Sequence, residues 1–86
     1  MAKYKIEMAR SAEKALYKLP KNDLGRVVEA IKALAGNPFP QGYRKLSGEQ
    51  DTYRIRIGSY RVIYEIYHKI VLIKILKIGD RKEVYR

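Results

Sequence analysis

The chain has 86 residues and a formal net charge of +10, with one histidine and no cysteine. That length allows one domain with a single modest core, and the absence of cysteine excludes disulfides, thiolate metal sites and cysteine nucleophiles. No apolar run approaches the roughly 20 residues that a membrane-spanning helix requires, and the N-terminal pattern is not that of a signal peptide. We therefore expect a cytoplasmic protein, and with His68 as the only histidine a zinc site is close to excluded.

The first half of the chain predicts one strand and two helices. Apolar residues alternate from Tyr4 to Met8, which indicates a short strand with one buried face. Ser11 is the expected N-cap of a first helix, which Pro20 ends. Asn22 or Asp23 is the expected cap of a second helix, whose apolar face lasts three turns before a Gly-Asn-Pro stop. Two consecutive helices with a short joint predict an αα-hairpin that needs an apolar surface to cover.

The segment after the helices predicts a β-hairpin with one cationic face. Apolar and cationic residues alternate from Tyr53 to Arg61, and the turn falls on Gly58-Ser59. The predicted cross-strand pairs are Ile57 with Tyr60, Arg56 with Arg61, Ile55 with Val62, Arg54 with Ile63, and Tyr53 with Tyr64. Like charges at opposed positions destabilise a sheet. A chain that keeps three arginines on one small patch is therefore expected to use them to bind an anion.

The remaining residues complete the predicted architecture. Residues 39–50 are punctuated by Pro and Gly and predict a loop, and His68-Lys69 predicts a second turn. An apolar run from Ile70 to Ile78 predicts a central strand with two buried faces, which Gly79-Asp80 is expected to end. The order β-αα-βββ predicts a single α+β domain over residues 1–86, an antiparallel meander with both helices packed on one face and the other face open.

Positive charge is concentrated in the second half of the chain, where arginine supplies most of the bias. A small, strongly basic domain indicates a polyanionic partner such as nucleic acid, an anionic membrane surface or an acidic protein. The arginines after residue 43 are Arg44, Arg54, Arg56, Arg61, Arg81 and Arg86. Because a planar guanidinium group binds phosphate through paired hydrogen bonds, this bias favours a phosphate-bearing partner.

Strand parity places the hairpin arginines on the open face of the sheet, together with Ile63 and Glu65. Arg81 and Tyr85 follow the last strand and could fold over the same patch. Glu65 is expected to pair with a neighbouring cation, and His68, in a turn, is expected to be solvated. The sequence contains no serine set beside a histidine and an acid, no carboxylate pair and no glycine-rich phosphate loop.

A set of short segments spread over the chain completes the sequence evidence. They are Ser11-Ala12 at a helix start, Lys18-Leu19-Pro20, Asn37-Pro38, Lys45-Leu46-Ser47-Gly48, the hairpin from Tyr53 to Tyr64, and Ile78-Gly79-Asp80-Arg81-Lys82-Glu83-Val84-Tyr85. In combination they resemble the RelE branch of the RelE/ParE toxin superfamily over essentially the whole chain. The resemblance implies a toxin that cuts mRNA in the ribosomal A site without a metal. It also implies that a cognate antitoxin inhibits this toxin. The implied partners are that antitoxin, the ribosome and mRNA, with no metal, no small-molecule cofactor and no membrane.

The resemblance also implies roles for individual residues. Arg61 and Arg56 are expected to stabilise the negative charge that grows on the scissile phosphate. Arg81 is expected to contact the phosphate or the leaving group, and Tyr85 to stack on a base, orient the RNA or transfer a proton. The 2′-hydroxyl of the RNA attacks the adjacent phosphate and leaves a 2′,3′-cyclic phosphate and a free 5′-hydroxyl. The residues predicted to contact RNA are Arg54, Lys45 and Arg44.

Two questions stay open in the sequence. The general base is not identified, because arginine is a much weaker proton acceptor than the lysine found in some relatives. The function itself has two alternatives, a ParE-like inhibitor that shares the fold and binds DNA gyrase without nuclease chemistry, and a basic RNA-binding module without activity. Converging arginines favour the nuclease. An exposed apolar groove, filled by an acidic amphipathic antitoxin helix, is expected in either kind of toxin.

Overall fold

Two helices and five strands are present in the computed structural model, which describes residues 3–46, 48 and 51–80. In chain order the elements are β1 (Lys5–Met8), α1 (Arg10–Tyr17), α2 (Lys21–Leu34), β2 (Arg44–Lys45), β3 (Thr52–Ile57), β4 (Tyr60–Tyr67) and β5 (Leu72–Asp80). A turn of 3-10 helix, His68–Ile70, joins β4 to β5. The strands form one sheet in the order β1-β5-β4-β3-β2. The predicted α+β architecture, with an αα-hairpin ahead of a β-hairpin, is confirmed.

The sheet is mixed, whereas the sequence predicted an antiparallel meander. β1 pairs in parallel with β5, and the other neighbouring strands are antiparallel. A short edge strand, β2, also lies within the segment predicted to be a loop. Alternation identifies β1 as a strand but says nothing of its partner, because Lys5 pairs with Leu72 at the far end of the chain. A two-residue strand such as β2 is too short to show any alternation.

The β3–β4 hairpin has the predicted turn and the predicted register. All five predicted cross-strand pairs are present, including Arg56 opposite Arg61. Gly58 has a φ of 61°, a left-handed conformation that glycine adopts at little cost and that a two-residue hairpin turn requires at its first position. Residue identity at the turn therefore sets which side chains share a face across the two central strands.

The last strand begins and ends later than the sequence predicted. The predicted turn at His68-Lys69 extends to Val71, whose φ of 54° is left-handed, so β5 starts at Leu72. Gly79 and Asp80 do not end the strand, because they pair with Arg61 and Tyr60 of β4. A glycine weakens a strand by itself, but pairing with a neighbouring strand compensates.

Neither helix begins at the predicted cap. α1 starts at Arg10 with Ala9 in the N-cap position, and α2 starts at Lys21 with Pro20 in that position; neither has a side-chain cap. The Ala9 N–H donates to the carbonyl oxygen of Ile75 at 2.8 Å, so sheet pairing continues up to the first residue of the helix. Because the sheet directs the chain into α1, the helix does not depend on a serine cap.

The core lies between the helices and one face of the sheet. Residues with almost no exposed surface come from both layers: Val27, Leu34, Val62, Tyr64, Ile73 and Ile75. α1 packs mainly on β5, and α2 lies over β3. Neither helix in the described part of the chain is long and apolar enough to cross a membrane.

Four aromatic rings attach the loop after α2 to the sheet, and we call them the aromatic cluster: Phe39, Tyr43, Tyr53 and Tyr64. The centroids of Phe39 and Tyr43 are 5.1 Å apart, and they lie 5.2 and 5.9 Å from that of Tyr53. Tyr53 in turn lies 5.8 Å from Tyr64, whose hydroxyl donates to the carbonyl oxygen of Pro38 at 2.6 Å. The predicted loop is therefore anchored to the core, which the sequence did not indicate.

Candidate functional site

Seven cationic residues of the described strands lie on the sheet face that points away from the helices, and we call this surface the basic face: Lys5, Arg44, Arg54, Arg56, Arg61, Lys74 and Lys77. The register places them there, because Arg44, Arg54, Ile63 and Lys77 are paired in one row across β2, β3, β4 and β5. Arg56 and Arg61 form the next row towards the hairpin turn. The residues between them along β3 and β4 belong to the core on the other face. The three hairpin arginines therefore share one face of the sheet, as predicted.

The basic face is less open than the sequence predicted. Arg54 and Arg61 keep only 2% and 4% of their surface exposed, and Ile63 between them is also buried, whereas Arg56 is exposed. The prediction that all three arginines would be displayed is wrong, because strand parity determines which face a side chain lies on and not how much of it is covered. Buried guanidinium groups act as fixed charges in a medium of low dielectric constant, where electrostatic interactions are strong.

The hairpin turn forms a concavity of about 340 Å³, lined by Arg56, Gly58, Ser59, Tyr60 and Arg61. We call it the turn concavity. A third guanidinium group is close by, because Arg26 of α2 lies 3.5 Å from where a Cβ on Gly58 would stand. The Tyr60 hydroxyl donates to Asp23 of α2 at 3.3 Å and holds the turn against the helix. Guanidinium groups placed around a small concavity can donate paired hydrogen bonds to an anion such as a phosphate group.

The other predicted site residues divide into two groups. Arg44 lies on the basic face opposite Arg54, whereas Lys45 is paired with Tyr53 and so lies on the other face of the edge strand; both side chains are exposed. The predicted pair of RNA contacts in β2 is therefore split between two faces. Arg81 and Tyr85 lie outside the described residues, and their roles stay predictions.

Groups that could exchange protons gather at the opposite end of β4. Glu65 accepts a hydrogen bond of 2.6 Å from Tyr67, and His68 Nε2 lies 3.3 Å from Asp51 Oδ1. They line a concavity of about 530 Å³, which lies about 20 Å from Arg61 along the strand at 3.4 Å per residue. These groups are too far from the turn concavity to act on an anion bound there.

Several tyrosines in the described part of the chain are held in the neutral form. Burial, followed by the nearby Asp23 carboxylate, raises the pKa of Tyr60, and the hydrogen bond to Glu65 raises the pKa of Tyr67. Burial also raises the pKa values of Tyr53 and Tyr64. None of these four supplies a phenolate base near neutral pH. Within the same residues, no group of three or more histidine or carboxylate side chains is placed to hold a metal ion.

A groove of about 890 Å³ runs between α2 and the end of β3. The surface that lines it is mainly apolar, with Val28 and Ile57 as the large apolar side chains, and Gly25 leaves open space on the helix surface. An exposed groove with a mainly apolar lining, as expected from the sequence, is therefore present here, and charged side chains of α2 border it. It adjoins the turn concavity through Arg26.

Comparisons with known proteins agree over nearly the whole chain. The family described as ParE toxin of type II toxin-antitoxin system, parDE, matches residues 6–85. Putative toxin RelE1 of Methanocaldococcus jannaschii is 33% identical over 87 residues, covering 98% of this chain and 97% of that protein. Toxin RelG of Mycobacterium tuberculosis is 33% identical over 87 residues, covering 96% and 97%. The archaeal RelE–RelB complex from Pyrococcus horikoshii OT3 matches with a TM-score of 0.83 and 37% identity, covering 94% of this chain and 98% of that chain.

Proposed function

Because this chain belongs to the ParE toxin family of type II toxin–antitoxin systems, in its RelE-like branch, we propose that it is a ribosome-dependent endoribonuclease that cleaves mRNA in the A site. The observation that carries this proposal is the turn concavity, where Arg56 and Arg61 face each other across β3 and β4. Like charges at opposed positions lower the stability of the sheet. An anion bound between the two guanidinium groups would offset this repulsion.

The proposed reaction uses the RNA as its own nucleophile. The 2′-hydroxyl oxygen forms a bond to the adjacent phosphorus, and the bond from phosphorus to the 5′ oxygen breaks. Negative charge grows on the phosphate oxygens in the transition state, where preorganised guanidinium groups stabilise it without reorganisation. Arg61 and Arg56 take this role, and Arg54, buried in the next row, adds to the positive potential. The products are a 2′,3′-cyclic phosphate and a 5′-hydroxyl.

Proton transfer is assigned to groups beyond β5 or to the ribosome-bound RNA. Guanidinium groups do not accept protons near neutral pH, and the four tyrosines with raised pKa values remain neutral. We assign Arg81 to the leaving group or the phosphate, and Tyr85 to stacking on a base or orienting the RNA. A phenolate at Tyr85 would need a neighbouring positive charge, which Arg81 could supply.

A cognate antitoxin is the proposed protein partner, and the cytoplasm the proposed site of action. The Pyrococcus horikoshii relative was solved as a RelE–RelB complex, which supports a partner of the same kind here. A net charge of +10 favours an acidic antitoxin segment that neutralises the basic face. Binding to the antitoxin and to ribosomes should therefore weaken as salt concentration rises.

Inhibition of DNA gyrase by binding is the second candidate function. The matching family description names a ParE toxin, which is the observation in favour of it. A protein that only binds gyrase has no evident need for paired arginines in a concavity next to a third guanidinium group. The nuclease is therefore the better-supported function.

Primer extension on cellular mRNA after brief expression of the toxin tests the proposal. We expect new 5′ ends within the translated codons of a reporter message and none in a matched message that lacks its start codon, because cleavage requires the ribosome. A supercoiling assay with purified gyrase is expected to show no inhibition. Gyrase inhibition without new 5′ ends would replace the nuclease with the second candidate.

Arg81→Ala is expected to lower cleavage of ribosome-bound mRNA by about 100-fold or more, since it removes a charge assigned to the reacting phosphate or leaving group. Tyr85→Ala is expected to lower it by roughly 10- to 100-fold, since it removes the ring assigned to stacking. Thermal unfolding should be unchanged in both variants. The measurement is the rate of cleavage of a defined message in purified ribosome complexes. Undiminished cleavage in both variants would contradict these two assignments.

A further inference from the structure

Two aromatic rings of the aromatic cluster reach the surface side by side. Phe39 and Tyr43 have 38% and 42% of their surface exposed, with centroids 5.1 Å apart. Their inner sides rest on Tyr53, at 5.2 and 5.9 Å. Each ring is therefore held against Tyr53 at a steep angle, 79° for Phe39 and 61° for Tyr43, while more than a third of each residue's surface stays in solvent and is accessible for stacking.

The surface is held rigid by the loop that carries it. The Phe39 N–H donates to the Asn37 side-chain oxygen at 3.1 Å, and the Tyr43 N–H donates to the Pro40 carbonyl at 3.0 Å. The fully buried Tyr64 donates to the Pro38 carbonyl at 2.6 Å. Because the rings are already fixed, a ligand that stacks on them loses little conformational entropy of the protein.

Two exposed cationic residues, Arg44 and Lys45, directly follow Tyr43 in the chain. Lys45 is paired with Tyr53 and lies on the same face as the rings, whereas Arg44 joins the basic face opposite Arg54. Two strand spacings and two residues separate Arg44 from Arg61, a distance of about 12 Å. An aromatic surface bordered by cations matches single-stranded RNA, whose bases stack while its phosphates meet the basic side chains.

We propose that Phe39 and Tyr43 form a base-stacking platform for single-stranded RNA that flanks the cleaved phosphate, with Lys45 and Arg44 contacting the backbone beside it. The platform rests on the proposed function in that its ligand is the substrate mRNA. It extends RNA contact from the turn concavity across the basic face to Arg44 on β2, and over that edge of the sheet to Lys45 and the two rings, which lie on the other face.

The test measures binding rather than cleavage. A short 2′-O-methyl oligoribonucleotide, which lacks the attacking hydroxyl, carries a fluorescent 2-aminopurine at successive positions and is titrated with the purified toxin. We expect quenching of 2-aminopurine at one position on binding to the wild-type toxin. In Tyr43→Leu we expect loss of that quenching and affinity weaker by about 5- to 20-fold, the lower part of the range for one stacked base. Tyr43→Phe, which keeps the ring, should bind like wild type.

Tyr67→Leu is the matched control. Tyr67 has 40% of its surface exposed, close to the 42% of Tyr43, but its hydroxyl donates to Glu65, so its surroundings are acidic and RNA affinity should not change. Phe39→Leu repeats the test from the second ring, and thermal melting verifies that each variant is folded. Equal affinity and equal quenching in wild type, Tyr43→Leu and Phe39→Leu would overturn the platform.

The platform and the proposed function can fail separately. A wild-type toxin that cleaves translated mRNA, together with variants that bind the oligoribonucleotide unchanged, overturns only the platform. A wild-type toxin that never cleaves overturns the nuclease whatever the oligoribonucleotide shows. Unchanged RNA affinity combined with weaker antitoxin binding in Tyr43→Leu would make the same surface a protein interface and would also overturn the platform.

Discussion

Arg61→Met is expected to lower cleavage of ribosome-bound mRNA by roughly 10²- to 10³-fold, the usual effect of removing one group that stabilises transition-state charge. Arg61 lines the turn concavity opposite Arg56 and keeps 4% of its surface exposed. Methionine retains the length and apolar volume of the side chain. Because methionine keeps this apolar packing, the rates are compared for folded protein only, so that the loss of activity reports the missing positive charge.

Single-turnover cleavage of a defined message in purified ribosome complexes measures this effect, with thermal melting as the test of folding. Arg61→Lys keeps the charge but loses the paired donors of the guanidinium group, and we expect an intermediate rate. Arg10→Ala is the control, because Arg10 is an exposed arginine at the start of α1, on the helical side of the sheet. Cleavage by Arg61→Met at the wild-type rate would remove Arg61 from the mechanism.

Tyr64→Ala is expected to lower the free energy of unfolding by about 3–5 kcal/mol, as for other large aromatic residues removed from a core. Tyr64 has no exposed surface and contacts Tyr53, and its hydroxyl donates to Pro38. The substitution leaves a cavity and an unpaired carbonyl group, and it releases the loop that carries Phe39. Urea denaturation measures the change. In a small domain this loss is a large share of the total stability.

Tyr64→Phe separates the hydrogen bond from the packing. It keeps the ring and removes one donor, so the expected loss is about 1–2 kcal/mol. Tyr17→Ala is the surface control, since Tyr17 on α1 has 72% of its surface exposed and should change stability by less than about 0.5 kcal/mol. Equal losses in Tyr64→Ala and Tyr17→Ala would contradict the central place of Tyr64 in the core.

The parts of the fold that the sequence predicted are those set by local chemistry. The β3–β4 register follows from a two-residue turn at Gly58-Ser59 and from alternation with a period of two, both readable within a dozen residues. The pairing of β1 with β5 and the strand β2 depend on residues far apart in the chain. The predicted N-cap of α1 was also wrong because of a long-range contact: the hydrogen bond from Ala9 to Ile75 of β5 sets where α1 begins.

In the candidate site, too, the sequence predicted what local spacing determines and not what depends on residues far apart in the chain. Parity placed Arg54, Arg56 and Arg61 on one face, but the burial of Arg54 and Arg61 depends on neighbours that parity does not specify. The aromatic cluster combines residues from the loop after α2 with residues of β3 and β4, and no spacing in the sequence links them. Phe39 and Tyr43 precede β2 in the chain, but their contacts with Tyr53 depend on the folded sheet.

The parallel pairing of β1 with β5 has a consequence for the order in which the chain can fold. β1 precedes β5 in the chain and is therefore synthesised before it, and α1 packs mainly on β5. The β3–β4 hairpin involves neighbouring residues and can form early. β1 and α1, in contrast, lack the strand on which they pair and pack until β5 has been synthesised. A nascent chain therefore carries the arginine hairpin before it carries the sheet that holds it, and the complete domain forms only after translation has passed β5.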